Sequence, residues 1–399
     1  MNKKLKTIQK YFDFFTKNFE PDPAPKPVWV DFGNGRRMLQ EYRIALPENI
    51  RVRHPYIVFI IFVYLKKFQF MGPWEKVAWE IPLKYKGTPL ILTHRKFGFE
   101  IISYLENETI TKRGIEAVTN IHKATQYAEI LIEPHIRSLV QTGHITLDNG
   151  YRNIRNRYIF LRENASREYS QANGIKKIFE PEQGIGLEEN IKSYNRFIRT
   201  INAGHYYMIA MLDAYFSLLE HTLVLLLPFL KNIDPEQVNL EDFIGKNWKE
   251  KYKVILPIIS DTGALQLLER LDKIKKRVRN PLSHGNLLKN GLSFYVHMEN
   301  LGAIPVTLTK SNNKFKYSFD ENMQMEFQEI CDCFDNCDTF FETHPLTKYG
   351  IRYIKSELSI AFDTKSCVQY KTFMTNGDEF NKFIENMSRE HDDAANMDW

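Results

Sequence analysis

Four side chains able to grip a phosphodiester and move its protons fall within ten residues. In RVRNPLSHGN, residues 277–286, Arg277 and Arg279 precede Asn280 and His284. Arginine stays charged at every physiological pH, and its planar fork matches phosphate oxygens. Histidine, with an ordinary pKa near 6.5, gives or takes a proton at neutral pH. In RNA the 2′-hydroxyl is a nucleophile already attached to the substrate. A site that orients it, moves protons and neutralises the developing phosphorane charge can cleave the strand without a metal ion. The expected site therefore calls for no metal and no cofactor.

Spacing alone does not single out this segment. An arginine followed at similar range by a histidine also occurs as Arg137 with His144 and Arg199 with His205. The surroundings distinguish it: Asn280 directly follows Arg279, Gly285 directly follows His284, and an apolar stripe of Leu267, Leu271, Ile274 and Val278 predicts the helix that delivers the motif. On a straight helix, positions five apart lie about 140° apart and positions seven apart nearly eclipse, so Arg277 rather than Arg279 would align with His284. Pro281 disfavours helical geometry at Asn280, and a bend there would turn Arg279 and His284 to one side. Arg279 is the expected catalytic arginine and Arg277 a second phosphate contact, with the choice between them open.

The elements that must hold these residues read as a helical bundle. Leu187, Ile191, Tyr194, Ile198 and Ile201 recur at steps of four and three, and Gly204 is expected to end their helix. A second, buried helix is expected from His205 to about Leu230, followed by helical EDFIGKNWKEKYKVIL and ALQLLERLDKIKKRVRN. Residues 292–319 alternate and carry Asn and Gly turns, which predicts a β-hairpin inserted before a last bundle helix over 321–343. The N-terminal part is mixed: strand-like WEIPLKY and TPLILTH bracket Gly87, and a helical run from Gly114 is interrupted by Pro134. The fold class is thus mainly α. A mixed α/β domain over 1–185, with a proline-rich linker at 20–28, leads into a bundle over 186–345 and an extension with a frayed acidic tail over 346–399.

The stretch Arg279-Asn280-Pro281-Leu282-Ser283-His284 resembles the signature of the HEPN superfamily, in which an arginine and a polar residue, often asparagine, precede a histidine at this range. The resemblance covers roughly residues 187–345 and implies a four- or five-helix bundle, HEPN-like with the hairpin as an insertion. It also implies a homodimer with two facing motifs and a metal-independent endoribonuclease leaving a 2′,3′-cyclic phosphate. Many members act as toxins or abortive-infection effectors, which implies a phage-derived trigger or an antitoxin as partner. Family members often place an acidic residue from an earlier helix near the motif. Glu220, on the otherwise apolar YFSLLEHTLVLLL, is the match, with Arg279 or Arg277 as the cation it requires and Asp213 in reserve. The alternative is a non-catalytic RNA- or protein-binding adaptor on the same bundle.

Lys273, Lys276 and Arg277 form a basic run suited to guiding an RNA backbone. In YRNIRNRYIFLRENASREY, Arg155 and Arg157 interleave with tyrosines, which suits single-stranded RNA as well as a solvated helix face. CDCFDNC, residues 331–337, lacks a nearby fourth zinc ligand and reads as core, and FGNGRR at 32–37 reads as a plain turn. A net charge of +5 over 399 residues suits an anionic partner without requiring one, and four cysteines in so long a chain suit the reducing cytoplasm. PYIVFIIFVYL is shorter than the roughly 20 residues of a bilayer span. Residues 206–229 carry Asp213, Glu220 and His221, which predicts a helix buried in protein rather than in a membrane.

Overall fold

The computed structural model describes residues 3–22, 29–31, 36–38, 41–50, 52, 54–176, 187–231, 238–276, 293–299, 302–309, 314–316 and 323–396. It is mainly helical with small antiparallel sheets. The chain divides into two compact units, Met1–Leu139 with Arg389–Trp399, and Val140–Ser388.

The first unit contains α1 (Lys3–Thr16), β1 (Phe19–Pro21), the hairpin β2 (Trp29–Asp31) and β3 (Arg36–Met38), and β4 (Tyr42–Arg43). There follow α2 (Pro55–Phe59), which continues as a π-turn over Ile60–Leu65, then β5 (Val77–Tyr85), β6 (Thr88–Arg95), β7 (Gly98–Ser103) and α3 (Glu108–Gln141). The main sheet is antiparallel in the order β1-β5-β6-β7-β4. Its centre is the hairpin foreseen around Gly87. Lys86 and Gly87 both take positive φ, the two-residue turn whose twist matches the strands it joins. Ile81, Leu83, Leu92 and Ile101 of the sheet share one core with Val58, Ile61 and Phe62 and with Ala117, Val118, Ile121 and Ala124 of α3. Pro134 does not end α3, which runs on to Gln141. Ile130 and Ile136 beside it are exposed, so water can serve the carbonyl that the proline leaves without a donor.

The second unit opens with β8 (Thr146–Leu147), α4 (Tyr151–Lys176), α5 (Leu187–Leu226), α6 (Leu240–Gly245), α7 (Trp248–Ile255) and α8 (Thr262–Ile274). Next come β9 (Ser293–Met298), β10 (Gly302–Thr309), β11 (Lys314–Lys316), α9 (Met323–Thr343), α10 (Lys348–Lys355), β12 (Ile360–Ala361), α11 (Thr364–Phe373) and α12 (Gly377–Asn396). The insertion between α8 and α9 is a three-stranded antiparallel sheet, one strand more than the expected hairpin.

Three expectations are corrected here. The boundary falls at 139/140 rather than 185/186, because α4 is a bundle helix. Tyr151, Tyr158, Ala165, Tyr169 and Ala172 recur at near-heptad steps, and the three tyrosines and Ala165 are buried in the same core as Met208, Leu212 and Tyr215 of α5. The residues after 346 are likewise no mere extension, since Ile351, Tyr353, Ile354, Tyr370 and Phe380 belong to that core and α12 is helical to Asn396. Finally, Gly204 does not break the chain into two helices. Helix α5 runs through it, and a Cβ there would stand 3.1 Å from the Tyr169 ring, so the glycine serves close approach of α4.

Among the described residues one stretch, Ile191–Phe229, is long and apolar enough to cross a membrane by length and composition, but two-thirds of its most apolar window is buried within the fold.

Candidate functional site

The motif residues Arg277, Arg279, Asn280 and His284 lie outside the described residues; the helix leading to them does not. Helix α8 begins with Asp261, whose carboxylate accepts from Ala264 N at 2.9 Å and pairs with His344 Nε2 at 2.8 Å. The Ala264 amide and then His344 hold the Asp261 carboxyl below its ordinary value. One interaction thus caps α8 and ties it to the end of α9.

The other end is held through charge and aromatic rings. Asp272 takes Lys249 of α7 and, at 2.9 Å, Lys276. Lys275 stands 5.0 Å over the Phe216 ring of α5 and 5.4 Å over the Trp248 ring of α7, two rings that also touch each other. Of the basic run, Lys273 and Lys276 are exposed, as a backbone contact requires, while Lys275 turns inward.

Side-chain contacts set the directions of the helices within the bundle. Tyr215 stacks on Phe334 at 3.6 Å and donates to Asp338 Oδ1 at 2.9 Å, while Leu219 and Thr222 share a cavity with Phe341 and Glu342. Helices α5 and α9 therefore run parallel. Gly263 lies against Phe340, and Cys333 lies close enough to Arg270 to feel its charge, so α8 runs antiparallel to both. The end of α8 lies level with Phe216, three residues after Asp213 and four before Glu220, so the two acids, on one face of α5, stand about equally close to it along the axis.

Glu220 already has a cation. Lys251 of α7, a buried lysine, donates from Nζ to Glu220 Oε1 at 2.7 Å. Among the described residues the cation beside Glu220 is Lys251, on a helix whose capping residue Asn247 makes a full capping box with Glu250; the expected pairing with Arg277 or Arg279 lies outside the described residues. Nothing in the sequence pattern marked Lys251 as buried.

The arginine and tyrosine segment of α4, for which the sequence allowed RNA contact or a solvated face, is divided between packing and ion pairs. Tyr151, Tyr158 and Tyr169 are buried, so their rings cannot stack on bases. Arg155 donates to Asp338 at 3.0 Å and to Tyr151 Oη at 3.2 Å. Arg162 grips Asp335 with two N–H groups, and Arg152 pairs with Glu357. These charges pin α4 to α9 and to the turn after α10; Arg157 remains exposed. Burial raises the Asp338 carboxyl even against Arg155 and the Tyr215 hydroxyl, and the group lines a cavity of about 30 Å³ inside the bundle.

Among the described residues no group of three or more His, Cys, Asp or Glu could hold a metal ion. Cys331, Cys333 and Cys337 sit in the core, where burial pushes the Cys331 thiol up to about 11. His205, on α5 toward the end where α8 finishes, has a buried Nδ1 with no hydrogen-bond partner among the described residues, and burial lowers its pKa. In the sequence it stands out only by its spacing from Arg199. No protein family, curated protein or solved structure matches the chain.

Proposed function

We propose that the second unit is a HEPN-type, metal-independent endoribonuclease acting on RNA in the cytoplasm, as a toxin or abortive-infection defence effector restrained or triggered by a partner. The observation that carries this reading is the motif from Arg279 to His284 placed directly after a bundle helix that is tied down at both ends. His284 moves the proton of the 2′-hydroxyl or of the leaving oxygen, Arg279 neutralises the phosphorane, and Asn280 orients one of them. Lys273, Lys276 and Arg277 guide the backbone. Glu220, itself held by Lys251, holds the arginine, with Asp213 on the same face of α5 in reserve.

The homodimer implied by the resemblance has a candidate seam on α5. Ile191, Tyr194 and Ile198 follow heptad spacing and are 53%, 57% and 36% exposed. The antiparallel register that sets Ile191 against Tyr194 of a second copy also sets Glu189 against its Arg196.

Incubating purified protein with total RNA in EDTA tests the enzyme. Fragments with cyclic-phosphate ends are expected, and they should vanish in Arg279→Ala and His284→Ala. Binding without cleavage would replace the nuclease with an adaptor.

A further inference from the structure

Charge is divided unevenly between the two units. The first, Met1–Leu139 with Arg389–Trp399, holds 23 Lys and Arg against 18 Asp and Glu, so the whole formal charge of +5 lies there and the second unit is neutral. An anionic partner is therefore steered toward the first unit. The densest source of that charge is the N-terminus, where residues 3–17 contain five lysines and a single acid, Asp13.

Helix α1 sorts these residues by face. Ile8, Phe12 and Thr16 are buried, and Phe12 belongs to the core of the unit. At about 100° per residue, Lys6, Lys10 and Lys17, the last just past the helix end, fall within about 40° of one another on the far side and span about 16 Å of axis. All three are exposed, as is Lys4. Lys84, Lys86 and Lys112 of the same unit each pair with a carboxylate; among the described residues none of these four does.

Rings stand beside the lysines. Tyr11 and Phe14 are both more than half exposed. Tyr11 lies over Tyr127 of α3 with ring centres 5.4 Å apart and planes within 17°, and Phe15 stacks on the same tyrosine at 6.0 Å. Lys17 stands 4.7 Å over Phe14, and Lys123 of α3 stands 5.9 Å over Phe15. Exposed rings flanked by unpaired ammonium groups match a single-stranded nucleic acid, whose bases stack on the rings while its phosphates meet the cations. A lipid surface fits less well. A helix enters the headgroup layer by its apolar face, and that face of α1 is already in the core, with Tyr11 held flat on Tyr127. An acidic peptide would engage the lysines and leave the rings unused.

We propose that α1, with Tyr127 and Lys123 of α3, is a docking surface for single-stranded RNA, on which bases stack against Tyr11 and Phe14 and phosphates meet Lys6, Lys10 and Lys17. The choice of RNA over DNA rests on the ribonuclease reading; the surface itself does not. A 2′-O-methylated RNA 10-mer carrying 5-bromouridine, which cannot be cleaved through its 2′-oxygen, tests the proposal with the full-length protein. Ultraviolet crosslinking followed by trypsin should tag the peptide Tyr11–Lys17, which holds both rings and none of the RNA contacts assigned to the bundle. In fluorescence anisotropy, Tyr11→Ala with Phe14→Ala should weaken binding about tenfold with an unchanged circular dichroism spectrum. Lys6→Gln with Lys10→Gln should make the slope of log affinity against log salt shallower by about 1.4. Failure of cleavage in EDTA with this crosslink retained would remove the nuclease and keep the surface. No crosslink in Tyr11–Lys17, RNA affinity and salt slope unchanged by both double variants, or tighter binding of the same sequence as DNA would overturn the proposal. Binding to equimolar phosphatidylcholine and phosphatidylserine vesicles that both variants abolish, without an RNA crosslink, would assign the face to a membrane instead.

Discussion

Lys251 and Glu220 share a 2.7 Å hydrogen bond but not the same surroundings: the lysine side chain is 3% exposed and the glutamate 41%. Removing one partner therefore differs from removing the other. Glu220→Ala leaves an ammonium group buried without a counter-charge and should cost about 3 kcal/mol. Lys251→Met leaves a carboxylate that water can reach and should cost about 1 kcal/mol. Urea unfolding of the two variants checks the order; a larger loss in Lys251→Met would contradict it.

The same pair bears on catalysis. Glu220→Gln, scaled for folded fraction, should slow RNA cleavage about tenfold or more, while Asp213→Asn should stay within about threefold. Glu220→Asp should restore part of the rate, which a merely structural carboxylate would not require. A loss confined to Asp213→Asn would move the role to Asp213.

Gly204 offers a test of packing against propensity. Alanine favours a helix over glycine by about 1 kcal/mol, yet here its methyl group would press on the Tyr169 ring. Gly204→Ala should lower stability by about 1–2 kcal/mol in chemical denaturation. A stabilised variant would mean that α4 and α5 can part without cost.

Acid should weaken the second unit. Burial lowers the pKa of His205 and of His221, so the unfolded chain binds protons that the folded chain refuses. Their contribution is complete above about pH 6.5 and is lost as the pH falls below it. The urea midpoint should drop between pH 7.5 and 5.5, and the double variant His205→Gln, His221→Gln should flatten that slope. Asp338, raised by burial, acts in the opposite sense at lower pH and remains in both proteins. A slope unchanged by the double variant would refute the assignment.

What was legible in the chain was periodicity and punctuation. The turn at Lys86-Gly87, the stripe of α8, and the buried nature of 206–229 all follow from spacing and residue type. Misreadings arose where a tertiary partner overrode a local signal. Gly204 reads as a breaker until Tyr169 stands against it, and the tyrosines of α4 read as a binding surface until α5 covers them. Pro134 reads as a stop until its neighbours prove exposed. Lys251 looked like any surface lysine, because its partner lies on another helix.

At forty residues without a break, α5 is a rod about 60 Å long. Its exposed Ile191–Ile198 end and its core-embedded end cannot be aimed separately. Whatever grips the first sets the heading of the second, so a mate docked near Ile198 would act on the Phe216 shelf as a hand acts on the far end of a lever.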